Sequence, residues 1–207
     1  MTETYDEYMD RCCKSLANFG WTFPKNFSPA EISDLTIRSK NRYQVDEYFL
    51  DYYSKDLNFE RILHIVYSSS FLNKQYEVFE QCIKTYKSGL YLVTVPALLM
   101  VLEGVIASKG EDKCFMMLEA VQRNIDSSDS NTYKKDMWRS FYYFIKLLYE
   151  TKPFNHDRPN FINRHWIMHG RDFTNCKQAD CLRLFQALYT LVSAGVDMEV
   201  TQRKHQL

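Results

Sequence analysis

The chain has 207 residues, 45% hydrophobic and 15% aromatic, with only 6 glycines and 5 prolines. That composition excludes a disordered chain and supplies enough apolar surface for an ordinary core without disulfide staples. Lys plus Arg and Asp plus Glu both number 26, and the resulting zero net charge excludes a protein that coats nucleic acid by bulk electrostatics.

Tyr5, Tyr8, Met9, Cys12, Leu16 and Phe19 recur at helical spacing, so residues 3–19 read as an amphipathic helix that Gly20 stops. Trp21 to Pro24 is extended, because proline disfavours helix at the residue before it. Ser28-Pro29-Ala30-Glu31 has the composition of a helix start, with a capping serine, proline at the first position and glutamate three residues after the cap. A helix to about Lys40 follows, then a tyrosine-rich one from Tyr43 to Tyr53. Tyr43, Tyr48, Tyr52 and Tyr53 read as packing with polar tips outward, and base stacking is the alternative.

From Asn58 to Lys87 an apolar stripe predicts one long helix or two in line, with a break at Ser68 to Ser70. Leu90 to Ala107 is the most apolar stretch. Thr94, Pro96 and Glu103 interrupt it, which argues against a membrane span and for a central, fully buried helix. Glu111 to Asn124 is helical, Asp126 to Asn131 is a polar loop, and Trp138 to Tyr149 is the next amphipathic helix. Lys152 to Pro159 is a connection with two prolines. Gln178 to Ala194 is the last helix, closed by Gly195 and followed by a frayed polar tail. The fold class is all-α, divided into an N-terminal helical extension over residues 1–55 and a helical bundle over 56–207.

The cysteines at 12, 13, 82, 114, 176 and 181 contain no Cys-x2-Cys pair, and the segment after Met1 is acidic and polar, which reads as a reduced, cytoplasmic protein. Charge is uneven along the chain. Residues 1–60 hold 7 Lys and Arg against 11 Asp and Glu, whereas residues 158–207 hold 7 against 4. The basic end suits a phosphate-bearing ligand.

That basic end carries Asn163-Arg164-His165-Trp166-Ile167-Met168-His169-Gly170, a dense group able to hold phosphate and move protons. Cleaving RNA without a metal requires a base for the ribose 2′-hydroxyl, a cation for the five-coordinate phosphate and an acid for the leaving 5′-oxygen. Histidine serves as base or acid because its unperturbed pKa of ~6.5 leaves both forms populated near neutrality. Arginine offers phosphate a permanently charged, planar fork. Arg164 and His169 are the candidates for these roles, and no cofactor is called for. A second copy across a symmetric dimer would supply both an acid and a base.

Arg164, His165 and His169 form an Arg-polar-x3-His pattern that resembles the motif of the HEPN superfamily of all-helical ribonucleases and toxins. Gly89-Leu90-Tyr91, Val95 to Leu99 and Leu102-Glu103-Gly104 look like a helix that accompanies an Asn-Arg-His-x3-His-Gly motif in bacterial proteins of that type, so the resemblance covers about residues 60–195. It implies a HEPN-like bundle, a homodimer with two Arg-x4-6-His motifs lining a groove, metal-independent cleavage of RNA such as tRNA, and a toxin or anti-phage setting with an antitoxin or regulatory partner. Arg164 and His169 match the two defining positions, with Asn163, His165 and Glu103 as auxiliary polar groups. Arg171 stands where members silenced by nucleotide transfer carry tyrosine, so that form of control is not expected, and Arg171 is instead a candidate contact for RNA phosphate.

Other readings of these residues are architectural. His165 and His169 have the spacing of two zinc ligands, with a third to come from His156, Asp157, Cys176 or Cys181. Arg164 could pair with a buried carboxylate such as Glu103, which would be costly to bury alone, while His169 caps a helix end. Trp166, Ile167 and Met168 would anchor the motif or form dimer contacts. A non-catalytic helical module binding RNA, a nucleotide or a partner protein is the functional alternative.

Overall fold

The computed structural model describes residues 3–55, 57–72, 74–107, 114–127, 132–174 and 176–204. Among these the chain is all-α. The helices are α1 (Tyr5–Asn18), α2 (Pro29–Arg38), α3 (Arg42–Ser54), α4 (Asn58–Tyr67), α5 (Tyr76–Lys87), α6 (Tyr91–Ala107), α7 (Cys114–Asp126), α8 (Thr132–Leu148), α9 (Arg164–Met168) and α10 (Gln178–Lys204), with a 3-10 turn at Ser70–Leu72.

Local chemistry explains the boundaries. Thr4 with Glu7, and Ser28 with Glu31, form reciprocal capping boxes at the starts of α1 and α2, and Pro29 occupies the first turn of α2 where its missing N–H costs nothing. Gly20 ends α1 with a φ of 89°, its N–H donating to the Ala17 carbonyl while Trp21 N–H reaches Leu16. A Cβ at Gly20 would also lie 2.8 Å from Arg183 Nε, so both the conformation and the close approach require glycine.

The bundle is organised around α10, which packs against α3, α4, α6 and α8; α1 lies along α8, α5 along α6, and α9 against α6. One continuous core runs from Met9 on α1 through Phe49, Val95, Phe141 and Phe144 to Phe185 and Leu188. Residues 1–55 therefore contribute to the same core as the rest of the chain. Polar groups stitch them in. Arg183 on α10 pairs with Asp46 on α3 and with Asp180, and Asp46 also accepts from Trp21 Nε1 at 3.0 Å. Tyr53 donates to Gln186 at 2.7 Å, Gln186 donates to the Thr22 carbonyl, and the Thr22 and Thr190 hydroxyls meet at 2.9 Å.

The structure decides between some sequence expectations and corrects others. Of the two readings of residues 58–87, the structure takes two helices, α4 and α5, broken after Tyr67 and joined through a 3-10 turn. Gly195 does not close α10, which continues to Lys204: one glycine inside a helix costs about 1 kcal/mol, too little to stop a run without proline. Most consequential is α6. It is not fully buried, since Leu92, Val93 and Met100 are each more than half exposed, with Leu90 just before them. Of the tyrosines on α3, Tyr53 is buried and Tyr43 and Tyr48 are exposed. The start of the predicted 111–124 helix and most of the 126–131 loop lie outside the described residues. Among the described residues no helix is long and apolar enough to cross a membrane.

Candidate functional site

The motif closes both ends of α9 with its own residues. Asn163, 1% exposed, accepts the Trp166 N–H at 3.1 Å on Oδ1 and donates from Nδ2 to the Glu150 carbonyl at 2.8 Å. At the other end Gly170 has φ 66° and donates to Ile167, while Arg171 N–H donates to Trp166 at 2.8 Å. A five-residue helix is too short to persist unaided, so these caps and the buried Trp166 and Ile167 hold it. Trp166 Nε1 donates to the Lys152 carbonyl at 2.9 Å, which ties the 152–159 connection to the motif. His169 occupies the C-cap position, the architectural place one reading expected.

The outward side of α9 carries the chemistry. The His165 and His169 rings are 4.8 Å apart, tilted at 67°. Phe154, from the connection, lies flat on His165 with centroids 4.7 Å apart and planes 1° from parallel, and it meets His169 at 5.7 Å. The Arg171 guanidinium carbon sits 4.9 Å from the Phe154 ring centre. His169 and Arg171 are exposed and His165 is half-buried. Thus two imidazoles, one aromatic ring and a guanidinium share one surface cluster.

Arg164 faces α6. Its Nε donates to Glu103 Oε1 at 2.5 Å and its Nη2 to Oε2 at 3.3 Å, a fork on one carboxylate, with the two side chains 34% and 33% exposed. Glu103 is the sole charged residue of α6 and falls within a stripe of exposed Leu92, Val93, Met100 and Ala107 and half-buried Pro96. Helical periodicity puts these positions on one side, because 3.6 residues per turn aligns 92, 96, 100, 103 and 107.

The predicted site residues thus fall into two groups on α9 and its flanks, the pair of Arg164 and Glu103 facing α6 and the His165, His169 and Arg171 cluster around Phe154, with Asn163 as the buried cap. Phe154 is the member that sequence reasoning missed: an aromatic between two prolines carries no signal that it will stack on a histidine. No family model, curated protein or solved structure matches the chain. The chemistry must accordingly be argued from this cluster itself.

Among the described residues no three His, Cys, Asp or Glu side chains are grouped to hold a metal. Of the third ligands considered for the His165 and His169 pair, Cys176 and Cys181 are buried, and desolvation raises both thiols, Cys176 to about 12. What the surface cluster offers is two adjacent imidazoles, groups able to exchange protons, with the Arg171 guanidinium on the Phe154 ring as a cation for an anionic ligand.

Proposed function

We propose that the chain is a metal-independent endoribonuclease of HEPN type. The observation that carries this reading is the pair of imidazoles 4.8 Å apart on the outward side of one short helix whose first residue is Arg164. In this scheme His169 takes the proton of a ribose 2′-hydroxyl, whose oxygen attacks phosphorus. Arg164 stabilises the charge on the five-coordinate phosphate. The bond to the 5′-oxygen breaks, and a second imidazole protonates that leaving group, giving a 2′,3′-cyclic phosphate and a 5′-hydroxyl. His165 supports the role of second imidazole within one chain. Arg171 extends the cationic surface toward a neighbouring phosphate.

A homodimer fits the same reading. A helix apolar on all sides is ordinarily covered on all sides, yet α6 leaves its stripe beside the site exposed. The likeness of the motif to HEPN toxins supports RNA, tRNA included, as substrate and a defence setting with an antitoxin or regulatory protein.

A second reading has its own support. The forked pairing of Arg164 with Glu103, and the use of Asn163 and Gly170 as caps, favour a non-catalytic HEPN-like module that binds RNA, a nucleotide or a partner protein. Turnover separates the two. Purified protein is incubated in chelator with total tRNA and a matched single-stranded DNA, beside Arg164→Ala and His169→Ala. The enzyme reading expects cutting of RNA alone, cyclic phosphate ends, and a loss of at least about a hundredfold in each variant with the fold intact. A well-folded wild type that cuts nothing would move the conclusion to the binding module.

A further inference from the structure

Arg164 meets Glu103 edge-on, with Nε and Nη2 directed at the two oxygens of one carboxylate. A phosphodiester presents an equivalent two-oxygen edge, and arginine recognises both anions with the same fork. The pair is reachable from solvent, each side chain being about one-third exposed. This sets it apart from the pairing of Arg183 with Asp46, where the guanidinium is 1% exposed and the contact ties helices together. Glu103 also stands without another charged residue on its own helix, so α6 itself offers it no competing cation.

We propose that Glu103 is a carboxylate latch on Arg164, holding the guanidinium edge that a substrate phosphate takes, so that an anion binds there by exchange with Glu103. The inference rests on the reading that Arg164 is a phosphate ligand of this site. Its consequence is a threshold. A lone phosphate has little to offer beyond what the carboxylate already provides, whereas a polyanion with further contacts, such as one at Arg171, displaces it. Partly exposed ion pairs contribute little to stability, so exchange is within reach of an RNA strand.

The test is fluorescence anisotropy on the full chain with a 2′-O-methyl oligouridylate, which cannot be cleaved through its 2′-hydroxyl, over a salt series. Glu103→Gln retains shape and an acceptor for Arg164 but removes the charge. It should bind roughly three- to tenfold more tightly than wild type. The gain should vanish when Arg164→Ala is added. Glu103→Asp, which withdraws the carboxylate by one methylene, should fall between wild type and Glu103→Gln and keeps the question open to measurement if the amide variant melts early. Affinity for the oligonucleotide that is unchanged or weaker in folded Glu103→Gln and Glu103→Asp, while Arg164→Ala loses binding, overturns the latch and leaves the phosphate role of Arg164 standing. Wild-type affinity in Arg164→Ala overturns both.

Discussion

Asp136 shows how a single buried carboxyl ties stability to pH. It lies on α8, accepts from Arg139 at 3.3 Å and from the Tyr5 hydroxyl at 3.5 Å, and is 1% exposed. Burial pushes its pKa up to about 6, against the pull of Arg139 and with help from the nearby Asp6. Asp6 moves the other way, held down to about 2 by hydrogen bonds from Arg139 and Lys135. The folded protein thus binds the Asp136 proton more tightly than the unfolded chain does. The resulting stability is complete below the ordinary carboxyl pKa and is lost as pH rises through about 6. Asp6 contributes in the opposite sense, with stability lost as pH falls toward about 2, and it is half-exposed and screened. Urea midpoints should show wild type losing on the order of 2 kcal/mol between about pH 4 and about pH 7, relative to Asp136→Asn. Parallel profiles for the two proteins would remove Asp136 from the account.

At the scale of one element, α9 shows function and architecture drawing on the same residues. Asn163 and Gly170 bracket the helix, and the side chains they leave unburied are Arg164, turned to α6, with His165 and Met168, and His169 at the cap. Space beside Gly170 is open, the nearest atom to an added Cβ being Phe173 Cζ at 3.8 Å. Gly170→Ala should therefore cost about 1–2 kcal/mol through its positive φ alone. Asn163→Ala should cost more, about 2–3 kcal/mol, since it removes the cap and leaves the Glu150 carbonyl without its buried partner. Thermal melts give the comparison, and equal losses would mean that the Glu150 contact adds nothing. Either loss should also weaken the function of the imidazole pair, because cap and cluster are one turn of chain.

Across the whole molecule, α10 is the shared support. Its Phe185 and Leu188 fill the core, and its Arg183, Gln186 and Thr190 reach the connector after α1 and the helix α3. Arg183→Ala would remove the cation that Asp46 and Asp180 share, leaving Asp46 only the more distant Arg42 at 3.8 Å. A loss of about 3–5 kcal/mol is expected by chemical denaturation at neutral pH. Burial already raises the Asp180 carboxyl, so the loss should shrink in mild acid as that group takes up a proton. A variant that unfolds with the wild-type midpoint would show that this network holds nothing together.

The all-α class, the stop at Gly20, the start at Ser28-Pro29-Glu31 and the grouping of Arg164, His165 and His169 were legible in the sequence by itself. Each depends on interactions within a few residues: a cap, a fixed φ, a helical repeat. Other features depend on partners distant in the chain. Hydropathy marks Leu92, Val93 and Met100 as apolar but cannot tell which side of α6 its neighbours leave open. The flat stack of Phe154 on His165 follows from how the 152–159 connection returns over α9. Glu103 was a plausible partner for Arg164 on chemical grounds, and only the packing of α6 against α9 brought the two oxygens to the guanidinium fork. Sequence determined which groups could do chemistry, because residue type and local geometry are written there. Tertiary structure decided which of them meet and how exposed they stand, because that depends on the packing of helices far apart in the chain.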